Sequence, residues 1–180
     1  MTDAAILAEV AARRQDLIGL AQDLIRIPTL NPPGQNYRAI CDYLAGRLMA
    51  SGFLVDFVRA HGAPGDSDAF PRWNLIARAT GSGPGDCVHF NSHHDVVAVG
   101  HGWTRDPFGA ELDGDRIYGR GSCDMKGGLA ASVIAAEAFM AARPEWRGAI
   151  EISATADEES GGYGGVAYLA ERGYFLPDRV

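Results

Sequence analysis

The stretch Lys126-Gly127-Gly128-Leu129-Ala130-Ala131-Ser132-Val133-Ile134-Ala135-Ala136-Glu137-Ala138-Phe139-Met140-Ala141-Ala142, followed by Ala149-Ile150-Glu151-Ile152-Ser153-Ala154-Thr155, decides the fold class. Its first part is almost continuously apolar over helical length, the pattern of a helix buried on most sides. Its second part is a short apolar run with β-branched residues, the pattern of a core strand. Working outward, Phe53–Val58, Trp73–Ala79 and Cys87–Asn91 are β-rich runs bounded by Gly, Pro and Asp clusters. Asp113-Gly114 is a hairpin-turn signal between two shorter strand-like segments. Near the N-terminus, Ile6, Leu7, Val10, Leu17, Ile18, Ala21, Leu24 and Ile25 recur at three- and four-residue steps and share one helix face, which Pro28 ends. Asn31-Pro32-Pro33-Gly34 is a turn-forming loop. A further helix is predicted from about Asn36 to Ser51, with Ile40, Tyr43, Leu44 and Leu48 inward and Gly52 as its stop. A last one is predicted from about Gly164 to Arg172. Strands alternating with helices predict an α/β layered domain with a largely parallel sheet.

Composition narrows the function classes. The chain has 180 residues, the size of one domain with a real core, and its 47% hydrophobic and 22% charged residues exclude disorder. Sixteen basic against 23 acidic side chains give a net charge of −7, which repels a phosphate backbone; no basic patch offsets it, so no nucleic-acid partner is expected. Gly127–Ala142 is 16 residues long and carries Glu137, short of the roughly 20 apolar residues needed to span a bilayer. Met1-Thr2-Asp3 opens no secretion signal, and three separated cysteines suggest a reducing compartment. A cytoplasmic protein without membrane attachment is the expectation.

Three acidic or histidine clusters stand immediately after predicted strands and are expected on one rim of the sheet: His93-His94-Asp95 after Cys87–Asn91, Asp124 between the hairpin and the buried helix, and Asp157-Glu158-Glu159 after the core strand. In open α/β sheets functional groups gather beyond the carboxyl ends of the strands. The chemistry these groups suit is metal-assisted hydrolysis. Imidazole and carboxylate are zinc ligands, and a ligating histidine is usually oriented by a carboxylate such as Asp95. A lone aspartate in a glycine-rich turn can bridge two ions about 3.5–4 Å apart. Glu158 and Glu159, whose side chains diverge, divide naturally into one ligand and one proton-transfer base.

Ser92-His93-His94-Asp95-Val96-Val97, the block Gly119-Arg120-Gly121-Ser122-Cys123-Asp124-Met125-Lys126-Gly127-Gly128, and Ala156-Asp157-Glu158-Glu159-Ser160-Gly161-Gly162 resemble the three signature blocks of a zinc amidohydrolase family. It includes acetylornithine deacetylase, succinyl-diaminopimelate desuccinylase, aminoacylase and glutamate carboxypeptidase. Trp103, Asp106-Pro107-Phe108 and the Asp113-Gly114 hairpin resemble its intervening segment. The resemblance implies a three-layer domain of zinc-peptidase type, with a mixed, largely parallel sheet between helices. It implies His93 on a first zinc with Asp95 orienting it, Asp124 bridging two zincs, Glu159 on the second, and Glu158 as general base. Cobalt is a possible substitute for zinc. A cis peptide between Asp124 and Met125 is implied as well. The substrate implied is a small N-acyl amino acid, the reaction removal of its acyl group, and the full-length assembly a homodimer.

The family's two remaining protein ligands and its lid and dimerisation domain have no counterpart here. Residues 1–180 are therefore expected to be the N-terminal part of the catalytic domain, one ligand short at each metal and inactive alone. A dipeptidase or carboxypeptidase of the same family, and a non-catalytic metal-binding fragment, remain as alternatives. His94 is taken as a spacer, His61, His89 and His101 as surface or packing residues, and Cys123 as a small buried residue in a tight loop rather than a nucleophile. Gly81-Ser82-Gly83-Pro84-Gly85 precedes a strand, so it is a turn and not a phosphate cradle.

Overall fold

The computed structural model describes residues 3–175. The N-terminal helical pattern forms two helices rather than one: α1 (Ala4–Ala12) and α2 (Arg14–Arg26), parted where Arg13 leaves helical geometry. Both sides keep the three-to-four spacing, so periodicity alone does not register the break. Only α2 buries residues, among them Leu20, Leu24 and Ile25. In α3 (Tyr37–Ala50), Ile40, Leu44 and Leu48 face the core as expected, but Tyr43 is exposed. Its hydroxyl donates to Asp23 at 2.7 Å, which explains an aromatic ring on the outer face.

Four strands make the main sheet: β1 (Leu54–Arg59), β2 (Trp73–Thr80), β3 (Cys87–His93) and β6 (Ala149–Thr155), in the order β1-β2-β6-β3. The sheet is mixed, as expected, but only β3 and β6 are parallel; β1·β2 and β2·β6 are antiparallel. The expectation of a largely parallel sheet is corrected on that point. Parallel neighbours need a long crossover, usually helical, and α4 (Gly127–Ala142) between β3 and β6 is the one such helix here. No helix intervenes between β1 and β2. The hairpin of β4 (Glu111–Asp113) and β5 (Arg116–Tyr118) is a separate two-stranded sheet whose turn uses Gly114 at φ 62°.

Alternation along the strands gives the sheet two faces. Leu75, Ala77 and Ala79 of β2 and Ile150, Ile152 and Ala154 of β6 pack with α2, α3 and α4 in the main core. On the opposite face, Leu169 of α5 (Val166–Glu171) covers Val58 and Ile76. Helices thus lie on both sides of the sheet, in three layers. All seven residues of β6 are buried, which is why its apolar run marks its limits so well. α4 has the 16 residues read from sequence; only when the kinked turn before it is counted does the segment, Ser122–Ala142, reach 21 residues and the length and composition of a membrane span. Here it is the core helix: Leu129, Ala130, Val133, Ile134 and Ala136 bury themselves against the sheet and helices of the domain.

Candidate metal centre

His93 is the last residue of β3, two positions further into the strand than the sequence suggests. Because β3 and β6 are parallel and in register His93↔Thr155, both strands deliver the residues beyond their carboxyl ends to the same edge. After Thr155, β6 runs through Ala156 and Asp157 into a short 3₁₀ turn, Glu158–Ser160. Asp124 arrives by another route. Its block comes after the separate β4–β5 hairpin, so it is not carried by a third strand of the rim, as the sequence pattern implied. Residues 122–126 form a wide π-helical turn in which Asp124 (φ −129°, ψ 99°) and Met125 are non-helical, and this swings the carboxylate toward His93 before α4 begins. The Asp124–Met125 peptide is cis.

His93 Nε2 lies 2.9 Å from Asp124 Oδ1 and 3.7 Å from Glu158 Oε2. His93, Asp124 and Glu159 each present one nitrogen or oxygen, all within 4.8 Å of one another. The imidazole is 4% exposed, whereas the Asp124 side chain is 75% exposed, so the cluster is walled on the protein side and open to solvent on the other. Asp95 is fully buried behind it. The nearer acceptor for His93 Nδ1 is the Asp95 carbonyl oxygen at 3.0 Å; the carboxylate Oδ1 is at 3.4 Å. That carboxylate has further partners. Oδ1 accepts the Glu158 N–H (3.1 Å), and Oδ2 accepts the Glu159 N–H (3.2 Å) and an Asn31 Nδ2–H (2.9 Å).

The electrostatics follow from one imidazole among four carboxylates. Burial opposes the imidazolium, but Asp95 and Asp124 outweigh it and push His93 up to about 9. Burial would raise Asp95, yet the hydrogen bonds from His93 and Asn31 and the nearby histidines hold it below the usual carboxylate range. Partial burial and the surrounding carboxylates push Glu159 up, against the pull of His93. An imidazole nitrogen and carboxylate oxygens with converging lone pairs and surplus negative charge form a donor set that fits a divalent cation such as zinc. Binding there would replace the His93 Nε2···Asp124 Oδ1 contact, because a metal-bound imidazole offers a lone pair and no proton at that nitrogen.

The remaining histidines lie outside the cluster. His94 turns inward, its Nε2 3.0 Å from the Trp73 carbonyl and its ring edge-on to Tyr37; burial pushes it down to about 4, so it is a neutral spacer. Cys123 is exposed, contrary to the expectation of a buried thiol, because the wide turn around Asp124 opens outward. Sequence reasoning missed two residues that touch the centre's supports. Asn31 reaches Asp95 and Ser160, and the buried Arg72 pairs with Asp157 Oδ2 at 2.9 Å, whose Oδ1 also accepts the Tyr37 hydroxyl. These partners lie 64 to 129 residues apart in sequence, and no spacing rule connects them.

A family model described as peptidase family M20/M25/M40 matches residues 89–180. The chain is 40% identical over 167 residues to a succinyl-diaminopimelate desuccinylase of Gluconobacter oxydans (strain 621H), covering 91% of this chain and 41% of that protein. Among solved structures, the dipeptidase Dug1p from Saccharomyces cerevisiae matches with a TM-score of 0.78 at 20% identity, over 94% of this chain and 37% of that one. The Bacillus subtilis YXEP protein, described as a dinuclear metal binding peptidase of the M20 family, matches with a TM-score of 0.60 at 16% identity, over 94% and 41%. At these identities the two structures speak for the fold. The chain spans about two fifths of the length of these relatives.

Proposed function

The chain belongs to peptidase family M20/M25/M40, and on that premise we propose that the full-length protein is a metal-dependent amide hydrolase that removes the acyl group from a small N-acyl amino acid. The observation that carries this is the convergence of His93, Asp124 and Glu159 donors within 4.8 Å, with Glu158 beside them. The 40% identity to a desuccinylase favours an acyl amino acid over a dipeptide as substrate.

In this reading His93 and Asp124 would hold one ion and Asp124 and Glu159 a second, while Asp95 steadies His93 from behind. Two zinc ions, with cobalt as a substitute, would supply Lewis acidity to the scissile carbonyl and positive charge against its oxyanion. Glu158 has no donor role in that set, and its side chain is 57% exposed on the open face. Its carboxylate takes a proton from the attacking water as the water oxygen bonds to the carbonyl carbon. The protonated Glu158 then delivers that proton to the amine nitrogen as the carbon–nitrogen bond breaks.

Among the described residues each ion would find two ligands, so we expect the 180 residues alone to be inactive. We further propose that the full-length protein is a cytoplasmic homodimer. The test is metal-free full-length protein titrated with zinc, then offered N-succinyl- and N-acetyl-amino acids beside dipeptides. Two zincs per chain and acyl amino acid turnover are expected. Cleavage of dipeptides alone would transfer the protein to the dipeptidase branch, and no hydrolysis of either class would overturn the proposal.

A further inference from the structure

We propose that Asn31 is the positioning residue of this centre: its side-chain amide holds the Glu158–Glu159 turn in place relative to His93. The inference rests on the proposed roles of Glu158 as base and Glu159 as metal ligand. The ladder between β3 and β6 ends at His93↔Thr155, with His94 N–H still donating to the Thr155 carbonyl. Beyond that point the turn bearing both glutamates leaves the sheet. Asp95 and Asn31 tie it back.

Asn31 is 4% exposed, and both hydrogens of its amide are used. One goes to Asp95 Oδ2 and one to Ser160 Oγ, each at 2.9 Å. The nitrogen must face Asp95, because a carboxylate can only accept. Ser160 Oγ in turn donates to the Asp157 carbonyl at the start of the turn (3.3 Å). Asp95 Oδ2 has two donors, Asn31 and the Glu159 N–H, so the position of Glu159 is coupled to Asn31 through one shared oxygen.

The segment carrying Asn31 is itself held at several points. Asn31 N–H donates to the Val96 carbonyl and Val96 N–H to the Thr29 carbonyl, a parallel bridge alongside the end of β3. The Thr29 hydroxyl donates to the His94 carbonyl. Lys126 Nζ, buried two residues after Asp124, donates to the Ile27 carbonyl at 2.6 Å. Arg72, which pairs with Asp157, donates to the Pro33 carbonyl at 2.6 Å. Residues 27–34, of which the sequence marks only Pro28 as a helix end and Asn31-Pro32-Pro33-Gly34 as a turn, therefore touch all three blocks of the centre. Within that segment Asn31 is the side chain joining the histidine block to the glutamate block.

The test uses full-length protein with Asn31→Ala and, separately, Ser160→Ala. In the metal-free state, amide exchange over residues 157–161 is expected to quicken several-fold to about tenfold in Asn31→Ala, and less in Ser160→Ala, with β6 unchanged. In the zinc-loaded enzyme kcat should fall about 10- to 100-fold with KM within about threefold. Exchange over 157–161 equal to wild type overturns the proposal, even if activity falls, because Asn31 would then act elsewhere. If Asn31→Ala does not fold, the same exchange in Ser160→Ala decides alone. Wild-type protein that hydrolyses nothing would sink the hydrolase reading, while the metal-free exchange still judges Asn31.

Discussion

Glu158 and Glu159 are adjacent, yet their surroundings separate them. Glu159 is half-buried and joins His93 and Asp124 in the donor cluster; Glu158 is exposed and stays outside it. Glu158→Ala in the full-length enzyme should therefore lower kcat by on the order of 10²–10⁴ while zinc stoichiometry stays at two. Glu159→Ala should lose the second zinc first. Zinc titration with single-turnover kinetics checks both, and the opposite pattern would exchange the two roles. At this scale the sequence made legible those charged groups that sit in short local motifs, whatever partners folding later brings to them. His93, Asp95, Asp124, Glu158 and Glu159 stand in short motifs that can be picked out locally. Asn31 and Arg72 matter only through contacts that folding creates, so nothing next to them in sequence marks them.

At the scale of elements, three helices are joined by one guanidinium. Arg47 of α3 donates to both carboxylate oxygens of Glu137 on α4 and to both of Asp16 on α2. Glu137 is buried, and without Arg47 its remaining donor is the Ser51 hydroxyl. Arg47→Met should cost about 2 kcal/mol by denaturant titration, less than a fully buried pair because Arg47 and Asp16 are partly solvated. The pH dependence has a definite sign. The Arg47 hydrogen bond holds Asp16 below 3.8, so its contribution is present above that value and lost as pH falls through the lower folded one. The stability gap between wild type and Arg47→Met should accordingly narrow below about pH 4; a gap that widens on acidification would contradict the assignment. A backbone constraint acts at α5. A side chain at Gly165 would collide with the Ala156 carbonyl, so Gly165→Ala should destabilise by several kcal/mol, read from the denaturant midpoint. α3, stopped by Gly52, and β6, buried along its whole length, were legible in the sequence. The division of α1 from α2 was not, since a hydrophobic stripe carries across a break without changing period.

Across the whole molecule, the centre gathers four carboxylates and one imidazole from three separate stretches of chain, and their mutual repulsion opposes the fold that unites them. A divalent cation offsets that repulsion, and it binds the folded chain far better than the unfolded one, where the three blocks are apart. The gain grows with free ion as RT ln(1 + [L]/Kd), about 2.7 kcal/mol at a hundredfold excess over Kd. Full-length protein stripped with a chelator should therefore melt several °C lower than protein in excess zinc, and the midpoint should keep rising with zinc concentration. Glu159→Ala should flatten that rise, and Glu158→Ala should preserve it, because only Glu159 offers a donor to the cluster. The 180 residues taken alone should show a smaller shift than the full-length protein, since His93 with Asp124, and Asp124 with Glu159, give each ion two ligands where a catalytic zinc normally has three. Scanning calorimetry over a zinc series on the four proteins measures all of this. A midpoint that ignores zinc in the full-length protein would mean that the donors within 4.8 Å are held together by hydrogen bonding alone, and that His93 keeps its proton in the working molecule.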